Sequence, residues 1–275
     1  MATTNPKLLE PNAVSLADAV AARAKQSVLH VQEYALLSAR SIANLFGPPR
    51  YVSDILEQMD IIGVGSLPIV LLTGFFIGAV MVLQTAAQFQ RFGQTVLTAD
   101  MVSLALVREL GPSITGLLVA GRNASGIASE LGSMVVTEQV DAMRAMGTDP
   151  IRKLVTPRMV ATVLMLPLLT AMADLMGLTG GYLVASFTLR LGAVSFWTRA
   201  MNILEFSDLM QGLTKPLVYG FIIATVACYQ GLNVKGGTQG VGRATTQAVV
   251  TASVIILITN FFLTKLMLYL AGHLF

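Results

Sequence analysis

Five long apolar runs dominate the pattern of hydrophobic and polar positions along the chain. A run of about 20 apolar residues forms a helix long enough to cross the ~30 Å hydrocarbon core of a bilayer. The pattern therefore predicts an all-α integral membrane protein, with one domain of five transmembrane helices over residues 61–275. The predicted spans are residues 61–87, 100–121, 157–189, 215–234 and 248–270.

The segment before the first run, residues 14–60, is amphipathic and too polar to span a membrane. Its periodicity predicts a helix over residues 15–46 that lies in the cytoplasmic membrane interface. The prolines and glycine at residues 47–49 end this helix, and a short piece at residues 53–60 leads into the membrane. Residues 1–13 are predicted to be disordered. The apolar face holds Leu16, Val20, Val28, Val31 and Leu45, opposite Arg23, Lys25, Glu33 and Arg40.

A second amphipathic pattern occupies the polar connector between the second and third runs, residues 122–156. Val136, Val140 and Met143 recur at i, i+4 and i+7, which places them on one face of a short helix. Such a helix can dock into another protein or rest on lipid headgroups, and periodicity alone does not separate these two interpretations. Residues that can end one helix and begin the next follow: Gly147, then Asp149 with Pro150, then Thr156 with Pro157.

Charged residues inside the apolar runs are candidates for function, because a charge in a bilayer is costly. Arg108 and Glu109 are adjacent and point about 100° apart on a helix, so one neighbouring helix cannot cover both. Pro112 has no N–H to donate to the carbonyl of Arg108, which loosens the helix there. Asp174 lies in the third run, where a buried ion pair with Arg108 and a functional role both remain open. Lys215 stands at the outer end of the fourth run.

Composition supports a membrane protein and excludes several other classes. Only 12% of the 275 residues are charged, and the mean hydropathy is +0.70. The single cysteine, Cys228, cannot form an internal disulfide, and the two histidines, His30 and His273, lie outside the runs. The residues therefore predict no metal site and no histidine-based catalysis. The net charge of +3 comes from residues flanking the runs, which is typical of membrane topology rather than of nucleic-acid binding.

Lysine and arginine residues are distributed unevenly between the two sides of the predicted bundle. Twelve fall on the side of the N-terminus and four on the other side, so the N-terminus is predicted to be cytoplasmic and the C-terminus periplasmic. The first group is Lys7, Arg23, Lys25, Arg40, Arg50, Arg122, Arg144, Arg152, Lys153, Arg158, Lys235 and Arg243, and the second is Arg91, Arg190, Arg199 and Lys215.

The glycine-rich stretch at residues 235–246 resembles a phosphate-binding loop only in part. Gly237 and Gly242 have the required spacing, but Arg243 and Ala244 stand where that loop has Lys and Ser or Thr. The stretch also follows a membrane helix rather than a strand. A turn between two helices is the favoured interpretation, and any ATP with its Mg²⁺ is expected to be bound by a partner.

Two runs carry a resemblance to a known family. The sequence RELGPSITGLLVAGRNASGIASELGSMVVTEQVDAMRAMGTDP and the later GVGRATTQAVVTASVIILITNFFLT closely resemble the MlaE-type permeases, the membrane subunits of ABC lipid transporters that work with MCE-domain proteins. The likeness covers roughly residues 50–272. The chain differs from the family pattern at Asn123-Ala124, where a small apolar pair is expected, and at Asn260, where a carboxylate is usual.

The resemblance implies a function and a set of partners. The implied protein is a non-catalytic permease subunit in a bacterial inner membrane, moving phospholipids between the inner and outer membranes and so maintaining outer-membrane lipid asymmetry. The implied assembly is a homodimer with a lipid cavity at its two-fold interface, two cytoplasmic ABC ATPase subunits, a periplasmic hexamer of MCE proteins and, in some systems, a STAS-domain protein.

The resemblance and the residue patterns together give candidate site residues. The lipid path is predicted to be lined by Arg108, Glu109 and Lys215, with an apolar wall of Leu71, Phe75, Gly78 and Val82. The ATPase-coupling set is Glu130, Val136, Glu138, Val140, Asp141, Met143, Arg144 and Met146. Structural polar roles are predicted for Asp174, Arg243 and Asn260.

Two other functions fit the residues. An ion-coupled secondary transporter of a small amphiphile would also place charges within its spans, and dependence on an ion gradient without an ATPase would favour it. A purely structural scaffold would tolerate neutral residues at Arg108 and Glu109 without losing transport.

Overall fold

The computed structural model describes residues 16–45 and 51–274, and these are nearly all helical with no β-strand among them. The predictions for residues 1–13 and for the helix end at residues 47–49 lie outside this range. The helices are α1 (Leu16–Leu45), α2 (Val52–Ile62), α3 (Leu67–Gln90), α4 (Leu97–Ala105), α5 (Gly111–Val119), α6 (Ser125–Val136), α7 (Gln139–Ala145), α8 (Thr156–Thr188), α9 (Ala193–Asn202), α10 (Phe206–Leu232) and α11 (Gly237–Leu274).

Within residues 16–45 and 51–274, five helical segments are long and apolar enough to cross a membrane, which confirms the predicted all-α, five-span fold. Each segment begins or ends beyond the apolar run that predicted it. Leu97–Val136 has 40 residues, or about 60 Å at 1.5 Å per residue, so it must project from a ~30 Å core. The five segments are Val52–Gln90, Leu97–Val136, Ile151–Thr188, Phe206–Leu232 and Gly237–Leu270.

The second segment does not end at Gly121, as the sequence predicted, but continues as helix to Val136. A π-helical segment, Ala120–Ala124, joins α5 to α6. Its polar side chains have partners at the α2–α3 junction: Arg122 Nη1 donates to Ser66 Oγ at 2.8 Å, and Asn123 Nδ2 donates to the same oxygen at 3.4 Å. Because these polar groups are bonded within the protein, they do not interrupt the helix.

The fourth and fifth helices both start earlier than predicted. A reciprocal cap starts α10, since the backbone N–H of Glu205 donates to Asp208 Oδ2 at 3.0 Å. Lys215 therefore lies well inside a helix and not at the mouth of a span. In the glycine-rich stretch only Lys235 and Gly236 precede α11, and the rest is helical. Gly236 and Gly237 have φ of +91° and +66°.

Helices α8 and α10 form the centre of the bundle. One hydrophobic cluster joins α6, α8, α10 and α11 and includes Leu131, Leu166, Tyr219 and Ile256. A second joins α3, α4, α8 and α9 and includes Val82, Val102, Leu178 and Phe196. By contrast, only 11% of the most apolar stretch of α11 is buried, so this helix presents a broad apolar surface outward.

Helix α1 packs along the bundle through residues spaced at one and two helical turns. Tyr34 and Leu37 contact the larger hydrophobic cluster, and Ser41 Oγ lies 3.2 Å from Thr156 Oγ1. Thr156 was predicted to begin a helix, but the chain is already helical from Ile151, and its hydroxyl instead joins α1 to the bundle. The helix itself is as the sequence predicted, and its place in the membrane interface stays a prediction.

Candidate functional site

A π-helical segment, Leu106–Leu110, separates α4 from α5 where the sequence predicted a loosened helix. Pro112 follows it and has no N–H, so the carbonyl of Arg108 cannot receive the usual bond from residue 112. Lys215 Nζ of α10 donates to this oxygen at 2.8 Å. A cation from a neighbouring helix therefore satisfies the acceptor that the proline leaves open.

Lys215 also forms an ion pair with Glu109. The Nζ–Oε1 distance is 2.7 Å, and the Lys215 side chain is completely buried. The hydroxyl of Thr264 in α11 donates to the same carboxylate at 3.1 Å. Lys215, Glu109 and Thr264 thus join three helices through one buried cation.

Arg108 points toward a different carboxylate. Its Nε donates to Asp208 Oδ1 at 2.5 Å, and the Asp208 side chain is only 1% exposed. The other oxygen of Asp208 accepts the N–H of Glu205, so this carboxylate both starts α10 and holds Arg108. Asp208 was not among the predicted site residues, although the E-x-x-D spacing of Glu205 and Asp208 is a recognisable signal for a helix start.

The two ion pairs, Arg108–Asp208 and Lys215–Glu109, are called here the midspan network. In each pair one partner is buried and the other is open to the surface of the chain: the Arg108 and Glu109 side chains are 37% and 39% exposed. A bound molecule could thus meet one cation and one carboxylate while the buried partners keep both in place. Glu109 lies about 18 Å along its helix from Leu97, at 1.5 Å per residue.

Asp174 is not part of the midspan network, and the ion pair with Arg108, one of the two possibilities that the sequence left open, does not form: Arg108 pairs with Asp208 instead. The side chain faces α5, where a Cβ at Gly111 would overlap its Oδ1. That oxygen has no hydrogen-bond partner among the described residues. It borders a cavity of about 10 Å³, roughly the space for one water molecule.

The predicted apolar wall on α3 divides into two faces. Gly78 and Val82 are buried against α8, where a Cβ at Gly78 would overlap the carbonyl oxygen of Gly177. These two residues therefore hold helices together and are not exposed to a lipid path. Leu71 and Phe75 are half-buried. The open face of α3 instead forms an apolar groove with the end of the π-helical segment before α5, lined by Leu72, Thr73, Phe76, Ile77, Val80, Met81 and Leu110.

The connector contains a shorter helix than predicted. Glu138 adopts a left-handed conformation, with φ of +60°, and separates Val136 at the end of α6 from α7. Gly147, with φ of +78°, ends α7 as predicted. The carboxylate of Asp149 accepts the N–H of Ile151 at 3.0 Å, as expected of a residue that starts a helix.

The apolar positions of α7 face this chain and not an open groove. Val140 is 3% exposed and belongs to the larger hydrophobic cluster, and Met143 packs beside it. The outer surface consists of the polar positions, Ala142, Ala145 and Met146, which is 75% exposed. The exposed members of the predicted coupling set are Glu130, Val136, Glu138, Asp141, Arg144 and Met146.

At the base of the connector, which comprises Glu130, Lys153, Leu154 and Arg158, ion pairs join α6 to α8 and the segment before α8 to α2. Arg158 of α8 is 5% exposed and pairs with Glu130 of α6 at 2.7 Å, while its other nitrogen donates to the carbonyl of Leu154 at 2.7 Å. Lys153 pairs with Asp54 of α2 at 2.5 Å. Glu130 thus belongs to an α6–α8 contact, which sequence periodicity could not show.

The remaining predicted polar residues have different surroundings. Asn260 Oδ1 accepts a hydrogen bond from the buried hydroxyl of Tyr219 at 2.7 Å, which joins α11 to α10. Arg243 is exposed near the start of α11 and forms no ion pair within the described range. A structural role is therefore consistent with Asn260 and has no support at Arg243.

Comparison with known proteins identifies the family. Residues 55–266 match the sequence profile described as Permease MlaE. The chain belongs to the MlaE permease family. This permease is 45% identical to a probable ABC transporter permease protein of Rickettsia typhi, over 85% of this chain and 90% of that one.

Two further relatives have more specific names. The permease is 35% identical to the intermembrane phospholipid transport system permease protein MlaE of Haemophilus influenzae, over 81% of this chain and 87% of that one. It is 37% identical to the chloroplast protein TRIGALACTOSYLDIACYLGLYCEROL 1 of Arabidopsis thaliana, over 79% of this chain and 62% of that one. The resemblance inferred from the sequence is confirmed at the level of the family.

Proposed function

We propose that this permease moves phospholipids between the inner and outer membranes of a Gram-negative envelope and so maintains outer-membrane lipid asymmetry. The observation that carries the proposal is the midspan network, which opens Arg108 and Glu109 to the surface within an apolar bundle. A phospholipid needs polar groups for its phosphate and an apolar wall for its acyl chains. The printed name of the Haemophilus influenzae relative supports this substrate class.

The lipid path proposed here runs between the midspan network and the open face of α3. Arg108 offers its guanidinium to a lipid phosphate, while buried Asp208 keeps that side chain oriented. Lys215 is completely buried, so its role is to hold Glu109 and not to meet the lipid directly. The exposed side chains of α3, among them Leu72, Phe76 and Val80, provide the wall for the acyl chains.

One chain leaves this path open on one side, and we propose that a second copy closes it. The broad apolar surface of α11 supports a homodimer with the cavity at its two-fold axis. Further partners are two cytoplasmic ABC ATPase subunits, which bind ATP and Mg²⁺, a periplasmic MCE-domain hexamer and a STAS-domain protein. The permease itself is not catalytic in this proposal.

The ATPase is proposed to dock on the exposed surface of the connector around α7. Met146 provides an apolar anchor, and Glu138, Asp141 and Arg144 surround it with charge. Val140 and Met143 pack α7 against the bundle from the other side. A displacement of α7 would therefore be transmitted to α8 and α10 through the hydrophobic cluster. This arrangement lets nucleotide-driven motion act on the spans.

The proposed orientation has α1 and α7 on the cytoplasmic side and the C-terminus in the periplasm of a bacterial inner membrane. It rests on the uneven distribution of lysine and arginine. A reporter that is active only in the periplasm, fused after Phe275, is expected to be active, and one inserted at Gly237 is expected to be silent. The opposite pattern would reverse the orientation.

The central experiment compares two carboxylates of this chain. Glu109→Lys places a third cation at the midspan network and is expected to stop lipid transfer from proteoliposomes, while the complex still assembles. Glu57→Lys, at an exposed position of α2, is the matched control and should transfer lipid normally. A photo-crosslinker at Phe76 should capture phospholipid. Normal transfer by Glu109→Lys, with no lipid captured at Phe76, would contradict the proposed path.

A secondary transporter remains the second candidate because of one observation: an oxygen of buried Asp174 has no hydrogen-bond partner in the part of the chain that the structure describes. A carboxyl in such surroundings can exchange a proton during transport. Lipid transfer that collapses with the proton gradient, persists without nucleotide and is lost in Asp174→Asn would favour this candidate. Transfer that requires ATP hydrolysis and survives Asp174→Asn would favour the ABC permease.

A further inference from the structure

A polar cleft opens at the other end of α11, between α1, α10 and the start of α11. It has a volume of about 620 Å³, which is in the range of small-molecule sites and far larger than one water molecule. Its lining residues come from four parts of the fold: Glu33 and Tyr34 of α1, Tyr229 and Gln230 of α10, Asn233 and Lys235 of the turn, and Gln247 and Thr251 of α11.

Hydrogen bonds and ring contacts fix one wall of this polar cleft. The rings of Tyr34 and Tyr229 lie 4.0 Å apart between centroids, and Gln230 Nε2 donates to Tyr34 Oη at 3.1 Å. The hydroxyl of Tyr229 donates to the carboxylate of Glu33. Burial raises the pKa of Tyr34, so this phenol stays neutral at physiological pH. The wall is therefore formed before any ligand arrives.

The opposite wall offers donors that the protein itself does not use. Within the described part of the chain, the ammonium of Lys235 forms no ion pair or hydrogen bond, and the side chains of Gln247 and Thr251 donate to no protein group. Ammonium, amide and hydroxyl groups together suit the oxygens of a phosphate. Glu33 supplies a negative charge to the same cleft, which suits an amine.

The cleft continues into an apolar stripe along α11. Gln247, Thr251, Val254, Ile258 and Phe261 recur at i, i+4, i+7, i+11 and i+14, so they share one face of the helix. Val254, Ile258 and Phe261 are 49%, 54% and 65% exposed. A molecule with a polar head and an apolar tail would find both parts matched along this face.

We propose that the cleft binds a phosphate ester bearing an amine, and that its occupant is the headgroup of a zwitterionic phospholipid such as phosphatidylethanolamine. Lys235, Gln247 and Thr251 hold the phosphate, and Glu33, which also accepts the hydrogen bond from Tyr229, holds the amine. An acyl chain lies along Val254 and Ile258, and the rest of the apolar surface of α11, which includes Leu257, Phe262 and Leu266, is left for the second copy. Thr264, which bonds to Glu109 in the midspan network, lies about 20 Å further along α11 at 1.5 Å per residue. The two sites are therefore separate.

This proposal rests on the proposed membrane placement and deepens the proposed function, because it gives the substrate a second binding place. Free phosphoethanolamine shares the same chemistry, so the test must distinguish a lipid from a soluble ligand. It must also be independent of transport, so that an error in the role given to the midspan network can be distinguished from an error in the role given to the polar cleft.

The experiment measures photo-crosslinking in nanodiscs of phosphatidylethanolamine and phosphatidylglycerol. A crosslinker at Val254 is expected to capture phosphatidylethanolamine in preference, compared with a crosslinker at Leu168, an exposed position of α8. Lys235→Glu should lower the capture at Val254 at least fivefold, and Lys235→Arg should preserve it. Arg243→Glu is the matched control, because Arg243 is an exposed cation nearby that does not line this cleft.

The remaining outcomes distinguish a lipid from a soluble ligand, and the polar cleft from the midspan network. Glu109→Lys should leave capture at Val254 unchanged, whatever it does to transport. Millimolar phosphoethanolamine that binds to the detergent-solubilised permease, and binds at least fivefold more weakly to Lys235→Glu, would assign the same chemistry to a soluble ligand. Equal capture by the wild type and Lys235→Glu, with no phosphoethanolamine binding, would overturn the proposal. Gln247→Leu removes a proposed phosphate donor without changing the charge, and it should also lower the capture at Val254.

Discussion

The midspan network and the base of the connector contain the same set of contacts in two different environments, one apolar and one polar. In each region a buried cation bonds to a carbonyl of a π-helical segment, Leu106–Leu110 at midspan and Ile151–Val155 at the connector, and to a half-exposed carboxylate. Lys215 bonds to Arg108 O and Glu109, and Arg158 bonds to Leu154 O and Glu130. Lys215 reaches across from another helix, whereas Arg158 bonds to a carbonyl in the preceding turn of its own chain segment.

The difference lies in what surrounds each carboxylate. Glu130 is 54% exposed beside the polar connector, so water can replace Arg158 if that contact breaks. Glu109 is 39% exposed within an apolar segment, where only another polar group can replace Lys215. The same set of contacts should therefore be replaceable at the connector and essential at midspan.

The largest effect is expected for Lys215→Met. It removes the partner of both Arg108 O and Glu109 and leaves a carboxylate unpaired within the bundle, at a cost of about 3 to 5 kcal/mol. Purified protein should show a lower melting temperature in detergent and poor insertion. Lys265→Met, an exposed lysine of α11, is the control and should melt like the wild type. An unchanged melting temperature for Lys215→Met would show that the contacts at midspan are as replaceable as those at the connector.

A second effect separates the two faces of α7. Val140→Asp buries a charge in this chain's own core and should destabilise the permease by about 3 kcal/mol. Met146→Asp changes only the exposed face, so the melting temperature should not change, while the ATPase should be lost from the purified complex. Both can be measured on one preparation, by thermal melting and by subunit stoichiometry. Full ATPase stoichiometry in Met146→Asp would place the docking surface elsewhere.

The smallest effect is expected for Glu130→Gln. The carboxylate is half exposed and a glutamine can still accept a hydrogen bond from Arg158, so the loss of stability should be about 1 kcal/mol or less. Glu109→Gln should cost clearly more, because it weakens the partner of a completely buried lysine. Thermal melting of the two variants side by side measures this ratio. Equal losses would show that the two regions do not differ in solvation.

Local chemistry was predictable from the sequence where the cause lay within a few residues. Pro112 predicts the free carbonyl of Arg108, Gly147 predicts the end of α7, and Asp149 predicts the next helix start, and the structure shows all three. Five spans follow from apolar length alone. In each case the physical reason lies in a missing N–H, an allowed positive φ, a capping carboxylate or a bilayer thickness.

The site could be predicted only in part, because its partners are distant in the sequence. Arg108 and Glu109 were identified, but their actual partners, Asp208 and Lys215, were respectively missed and misplaced. The spacing of Glu205 and Asp208 marks the start of α10, but nothing local shows which side chain of another helix Asp208 contacts. Val140 looked like an outward anchor because periodicity gives a face without saying what covers it. Arg122 and Asn123 suggested that the second span ends at Gly121, because the sequence does not show that Arg122 bonds to the distant Ser66 and that the helix continues through this polar pair.

The close approach of α3 and α8 has a mechanical consequence. Glycines at 74 and 78 face the backbone of Ala173 and Gly177 so closely that even one added carbon at either position would overlap a carbonyl oxygen. Helices in such contact cannot slide past one another by a turn without collision, so α3 and α8 should move as one rigid body. Any alternating motion of the permease must then hinge where this pair meets its neighbours, on the side where α3 is open.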